Sequence, residues 1–311
     1  MEDLLKIQQK LIPEVIDIMT KRYLVLRQIS ISGPIGRRAL ATILQNSERV
    51  IRSETDILKN EGLIDVNLQG MTVTEEGQEV LKELSYVMKA AIGINELQEE
   101  LRQYLGIKKA ILVPGDYEKN NSLIKDIAKE AALYLLHTLK DKDIISIAGG
   151  STMLEFAKSI KSDKKYSSIT VVPARGSLGF DVETQSNNVV AELSKNIHSD
   201  YKLLNIPDQL CEESIRTLTQ EPEIKNTLEL IKSSDKLVFG IGRADEMVRR
   251  RKLSDEKAKE IMEKEAIGEA FGHYFNKQGE IVYKLNTVGI DMESFKNINN
   301  AIAVFAGKKK A

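Results

Sequence analysis

The stretch "ISIAGGSTMLEFAKSI", residues 145–160, decides the fold. Ile145, Ile147 and Ala148 make a short apolar run, Gly149 and Gly150 break it, and from Ser151 the apolar residues return at helical spacing. A buried strand that passes through a glycine corner straight into a helix is the repeating unit of a parallel sheet. The corner can bring unpaired N–H groups and the positive end of a helix dipole onto an anion. It also arises for steric reasons alone, and the stretch by itself leaves both readings open. It is neither a Walker A loop, lacking the Gly-Lys-Ser/Thr ending, nor a dinucleotide fingerprint, lacking the third glycine.

The same alternation runs on either side. "KAILVP" (109–114), "DIISIAGG" (143–150), "SSITVVPARGSLG" (167–179), "YKLLNIP" (201–207), "DKLVFGIGRAD" (235–245) and "NAIAVFAG" (300–307) read as strands. Helical patterns lie between them, as at 120–139 and 222–234, so an α/β domain with a parallel, Rossmann-like sheet is expected over residues 107–311. Ligands of such sheets sit beyond the carboxyl ends of the strands. Arg175, the Gly240 and Gly242 turn, and the arginines at 249–251 follow strand ends, and arginine there suits an anionic, phosphorylated ligand.

The first ninety residues follow another pattern. Apolar residues keep helical spacing to a stop at Gly33-Pro34, with Pro13 as a break. A short helix is expected from Arg37 to Leu44. After a Gln-Asn corner Ser47 caps a longer helix that ends at Gly62, and two short strands follow about a Gln69-Gly70 turn. Helix, turn, helix and hairpin describe a winged helix-turn-helix over residues 1–88. Thr74 then caps a helical stretch to Leu105, broken near Gly93, whose residues 89–106 serve as a linker helix. Its apolar stripe fits either a pairing surface between copies or packing on the chain's own second domain.

Charge supports nucleic-acid contact only locally. The 311-residue chain has a formal net charge of −1, with 42% hydrophobic and 29% charged residues. Residues 20–60 hold eight bases and three acids, a local balance of +5 that suits phosphate. Ile51 and Leu58 face inward on the second helix, while Arg49, Arg52, Ser53 and Asp56 share its outer side, where arginine can reach guanine in a major groove. Arg37, Arg38 and the capping Ser47 stand near the expected phosphate path. A winged helix used for protein contacts, its arginines merely solvated, is the alternative.

Other classes of function find little support. The single cysteine, Cys211, gives no disulfide framework or cysteine metal cluster, and suits a reducing cytoplasm. "MEDLLKIQQK" opens with acids and has no leader-like apolar run, and no stretch has the length of a membrane span, so a cytoplasmic protein is expected. His137, His198 and His273 are scattered, and Asp245 and Glu269 have no partner forced by spacing. No catalytic pair, metal or cofactor is expected.

Taken in order, "SERVIRSETDILKNEGLI" (47–64), "AGGSTM" (148–153), "PARGSLG" (173–179), "ETQSN" (183–187), "FGIGRADEM" (239–247), "GEAFGHYF" (268–275) and "FAGKKKA" (305–311) resemble the SorC-type family of sugar-responsive bacterial transcription regulators. The resemblance spans nearly the whole chain. It implies a repressor that binds operator DNA as a homo-oligomer, dimer or tetramer. Its effector domain would be related to sugar-phosphate isomerases and deaminases, with fructose 1,6-bisphosphate as the effector. It further implies that Gly149, Gly150, Ser151 and Thr152 hold one phosphate with Lys308 or Lys309, and that Arg175, Gln185, Arg250 and Glu269 surround the remaining phosphate and hydroxyls. In the family the chain runs on past the glycine-lysine segment, whereas this sequence ends at Ala311. The alternative is a sugar-phosphate enzyme with an accessory DNA-binding domain.

Overall fold

A computed structural model describes residues 11–91, 93–177 and 181–307. The chain divides into two compact units, Met1–Leu123 and Ile124–Ala311.

In the first unit, α1 (Pro13–Ser32) begins at the proline rather than breaking there, because a first-turn residue needs no N–H partner. α2 (Arg37–Leu44) and α3 (Glu48–Asn60) follow, joined by a left-handed Gln45. Ser47 caps α3 as expected, its hydroxyl accepting from Val50 N at 3.3 Å. Gly62, at φ +73°, ends it: Gly62 N donates to Lys59 O and Leu63 N to Leu58 O, the paired bonds of a Schellman stop. β1 (Ile64–Asn67) and β2 (Gly70–Val73) pair antiparallel. Their turn is Leu68-Gln69, one residue earlier than expected, because Asn67 Oδ1 accepts from both Gln69 N and Gly70 N. Ile35 bridges Met71 as a third strand position, so close that a Cβ on Gly70 would lie 2.7 Å from Ile35 N.

Val25, Leu26, Ile29, Leu40, Ile51, Leu58, Ile64 and Met71 form one buried core, which makes the unit a winged helix. α4 (Glu75–Ala91) and α5 (Ile94–Leu105) continue it, parted by a left-handed Gly93. The stretch 109–114 forms no strand. Gln98 Oε1 accepts from Leu112 N at 2.8 Å and Arg27 Nη1 donates to Pro114 O at 2.9 Å, so two of its backbone groups pair with side chains of this unit.

The second unit is built on α6 (Leu123–Thr138), β3 (Ile144–Ile147), α7 (Ser151–Ser159), β4 (Thr170–Pro173), α8 (Ser186–Ile197), β5 (Asp200–Tyr201), α9 (Glu212–Leu218), α10 (Pro222–Lys232) and β6 (Lys236–Phe239). A second group follows: β7 (Gly242–Arg243), α11 (Ala244–Arg250), α12 (Asp255–Glu263), β8 (Gly268–Ala270), β9 (His273–Phe275) and β10 (Ile281–Lys284). α13 (Met292–Asn297) and β11 (Asn300–Ala303) complete the unit.

Five parallel strands run β11-β6-β3-β4-β5, the order of a doubly wound Rossmann-like sheet. Ile145, Ile147, Val171, Val172, Leu237 and Val238 supply its buried centre. The order reverses between β3 and β6, so the crevice at the switch point opens beside Gly149 and Gly240. The antiparallel sheet β10-β9-β8-β7, with a small core of Ala244, Val248, Ile261 and Tyr274, was not foreseen from sequence. Its strands are two to four residues long, too short for a periodicity to show.

Candidate effector and DNA-binding sites

The glycine corner is shaped by contact, not by freedom alone. A Cβ on Gly149 would lie 2.7 Å from Thr184 O and 2.9 Å from Ser186 N. Gly150, at φ +114° and ψ 161°, occupies a backbone region essentially closed to other residues. Its N–H donates to Thr184 O at 2.7 Å, so it is not itself offered to a ligand. The consequence is that the N-termini of α7 and α8 meet. Neither end has a side-chain cap, since Gly150 and Gln185 occupy the cap positions without such a bond. The first turns of two helices, one of them carrying the Ser151 and Thr152 hydroxyls, therefore begin close together, and both dipoles favour negative charge near their ends.

Beyond β4 and β7 lies a buried set of four charges. Asp208 Oδ1 accepts from Arg175 Nε at 2.5 Å, and Oδ2 accepts from Arg175 Nη2 at 2.8 Å and Arg251 Nη1 at 2.7 Å. Glu269 Oε1 accepts from Gly272 N at 2.6 Å, Arg251 Nη2 at 2.9 Å and Arg175 Nη1 at 3.5 Å. All four residues are buried. Burial opposes the charge on Arg251, but Glu269 and Asp208 outweigh it and hold its pKa above the ordinary arginine value. Three donors converge on Glu269 Oε1, and none of these bonds involves Oε2, which keeps acceptor capacity.

Nearby, Tyr274 Oη is buried with no hydrogen-bond partner, and its pKa is raised by burial and then by Glu269. His273 is pushed below its usual value by burial and then by the charge of Lys284, so it stays neutral, with Nδ1 3.1 Å from Phe271 O. It is a packed histidine rather than an acid or base.

Of the residues named from sequence, Gly149, Gly150, Ser151, Thr152 and Gln185 lie around the two helix ends, and Arg175 and Glu269 lie in the charge set. Arg250 does not join them. It is exposed at the end of α11, whereas Arg251 is fully enclosed. Ala244, Val248 and Arg251 share one helix face at i, i+4 and i+7, a signal that separates the three arginines. Lys308 and Lys309 lie outside the described residues. Asp208 had no signal in sequence, because its partners are 33 and 43 positions away.

On the winged helix, Arg49, Arg52 and Ser53 are exposed on the outer side of α3, as the periodicity requires. Arg52 lies 3.8 Å and Arg38 3.5 Å from Glu48, loose pairs that solvent screens. Arg37 is bound to α3 instead: Nη2 donates to Asp56 Oδ1 at 2.7 Å and Nε to Thr55 Oγ1 at 3.4 Å. Glu54 points inward, 2.8 Å from Lys21 Nζ and 3.1 Å from Arg22 Nε. Lys21 and Arg22, two of the eight bases in the local count, are thus paired with Glu54, and Arg38, Arg49 and Arg52 remain the exposed arginines of this unit's outer side.

Two family models together match residues 18–311. The model of the CggR N-terminal DNA binding domain matches residues 18–88, and a model described as a sugar-binding domain matches residues 89–311. The chain belongs to the SorC-type family of transcription regulators. Two relatives, each a central glycolytic genes regulator, span the whole of it. The one from Priestia megaterium is 39% identical with 91% of its own length covered, and the one from Bacillus subtilis is 38% identical with 92% covered. Among solved structures, a SorC family transcriptional regulator from Enterococcus faecalis superposes with a TM-score of 0.65 at 32% identity. That match covers 69% of this chain and 88% of that one. As a SorC-type regulator the chain couples a DNA-binding domain to a sugar-binding domain, and it is a regulator rather than the enzyme weighed as the alternative. Among the described residues no helix is long and apolar enough to cross a membrane.

Proposed function

We propose that this SorC-type regulator is a repressor of central glycolytic genes, and that a phosphorylated sugar, fructose 1,6-bisphosphate, binds its second unit and weakens operator binding. The meeting of two uncapped helix N-termini at Gly149 carries this reading, since it offers a dianion several N–H groups and two dipole ends at once. Glu269 Oε2 and Arg175, within the same unit, suit a sugar hydroxyl and a second phosphate. Both whole-length relatives bear the name central glycolytic genes regulator, which supports the choice of target genes.

The boundaries 1–88, 89–106 and 107–311 are proposed as the functional division, in line with the junction of the two family models at residues 88 and 89. A homo-oligomer, dimer or tetramer, is part of the same reading. α5 buries none of its residues, and Leu97, Tyr104 and Leu105 stand exposed on it. Effector and operator need only prefer different states of the assembly for one to weaken the other. Titration calorimetry with fructose 1,6-bisphosphate, fructose 6-phosphate and glucose 6-phosphate tests the effector. A mobility-shift titration of operator with and without bisphosphate tests the coupling. Absence of heat with all three sugars, or operator affinity indifferent to the bisphosphate, overturns the reading.

A further inference from the structure

We propose that Asp208 is a positioning residue for effector recognition, acting through Arg175 and Arg251 rather than by touching the ligand. This inference rests on the sugar-phosphate reading of the crevice. Asp208 is 1% exposed, and its backbone is fixed on both sides: its N–H donates to Ser177 O at 2.9 Å and its carbonyl accepts from Val288 N at 3.0 Å. The carboxylate cannot follow a moving arginine, so the arginines conform to it. It takes Arg175 side-on through Nε and Nη2, which fixes the plane of the guanidinium, and its second oxygen also holds Arg251 Nη1.

Without Asp208, Arg175 keeps only the 3.5 Å contact to Glu269, the longest in the set, and its guanidinium is free to turn. Arg251 in turn spans Asp208 and Glu269 with its two Nη atoms, so Asp208 holds both arginines of the set. The set is also electrically closed, two arginines against two acids. Loss of the Asp208 charge would by itself favour an anion. Loss of orientation opposes that gain and prevails, because an asparagine amide turns N–H donors toward guanidinium groups that only donate.

The test is calorimetry on the 311-residue chain with fructose 1,6-bisphosphate and fructose 6-phosphate, using Asp208→Asn, Arg175→Ala and the double variant. Asp208→Asn is expected to weaken the bisphosphate about tenfold or more, with the monophosphate changed less. The double variant is expected to bind no more weakly than Arg175→Ala alone, since both changes remove one interaction. Additive losses would mean a general structural role, and tighter binding by Asp208→Asn would mean competition with the ligand; either overturns the proposal. Should far-UV dichroism show Asp208→Asn unfolded, Asp208→Glu keeps the charge and displaces it by one methylene. The same loss is then expected, and unchanged affinity overturns the proposal. If the unmodified chain binds neither sugar, the sugar-phosphate reading fails and takes this inference with it. If the unmodified chain binds and Asp208→Asn binds equally well, only this inference fails.

Discussion

Gly149 stands so close to Ser186 that a Cβ on it would lie 2.9 Å from the Ser186 amide nitrogen, as well as 2.7 Å from Thr184 O. That contact brings α7 and α8 end to end. Both neighbours are backbone atoms, so neither can rotate out of the way. Gly149→Ala is expected to cost about 1–3 kcal/mol and to part the two helix ends. Fructose 1,6-bisphosphate at a hundred times its dissociation constant should stabilise the unmodified chain by about 2.7 kcal/mol. A thermal-shift comparison should find that gain missing in the variant.

Arg250 and Arg251 are adjacent in sequence and opposite in burial. Arg250→Ala should leave stability within error, as a surface change usually does. Arg251→Ala leaves two buried carboxylates facing Arg175 as the remaining cation of the set and is expected to destabilise by about 3–5 kcal/mol, read by urea denaturation. Equal behaviour of the two variants would contradict the charge set around Asp208.

On the DNA-binding unit, Arg52→Ala should lower operator affinity by about 1–3 kcal/mol with sequence preference relaxed. Arg37 braces α2 to α3 through Asp56, so Arg37→Ala should act mainly on stability, by about 0.2–1 kcal/mol for a pair this exposed. Mobility-shift titrations on operator and on scrambled duplex, with melting curves, distinguish the two roles. An Arg37→Ala chain that melts normally but releases operator would return Arg37 to the phosphate contacts.

Glu54 makes the first unit sensitive to acid. Burial raises its pKa, but the hydrogen bonds and charges of Lys21 and Arg22 outweigh this and hold it below the ordinary 4.5. A carboxyl lowered in the folded state adds stability that is complete above the unfolded value and is lost as pH falls through the folded one. Denaturant titrations should therefore show Glu54→Gln less stable than the unmodified chain at neutral pH, with the difference shrinking as pH drops beneath 4.5. A difference independent of pH would remove the ion pair as the cause.

Leu97 is half exposed on α5, a helix with no buried residue. If that stripe pairs two copies, Leu97→Asp should shift sedimentation equilibrium toward a smaller species and leave effector binding intact. An unchanged mass would assign assembly to other surfaces.

The winged helix was legible because its signals are local. Ser47 and Val50, or Gly62 and Lys59, lie within one turn, and the alternation of inner Ile51 and Leu58 with outer Arg49 and Arg52 follows from 3.6 residues per turn alone. The strand-to-helix corner at Gly149 was equally plain, since apolar run, glycine pair and helical spacing are contiguous. Residues 109–114 misled because an apolar run says nothing of its partner. Here Gln98 and Arg27 take up Leu112 N and Pro114 O, where a strand would have offered them to a neighbour.

The sequence by itself determined the helix, turn, helix and hairpin order of the first unit, the parallel α/β class of the second and the outward arginines of the recognition helix. Each of these depends on residues a few positions apart. Tertiary structure alone decided that Asp208 joins Arg175 across 33 positions, that Glu54 faces Lys21, and that the ends of α7 and α8 converge. A buried charge can exist only where opposite charge and hydrogen bonds meet it. Which residues meet is fixed by the packing of strands and helices far apart in the chain.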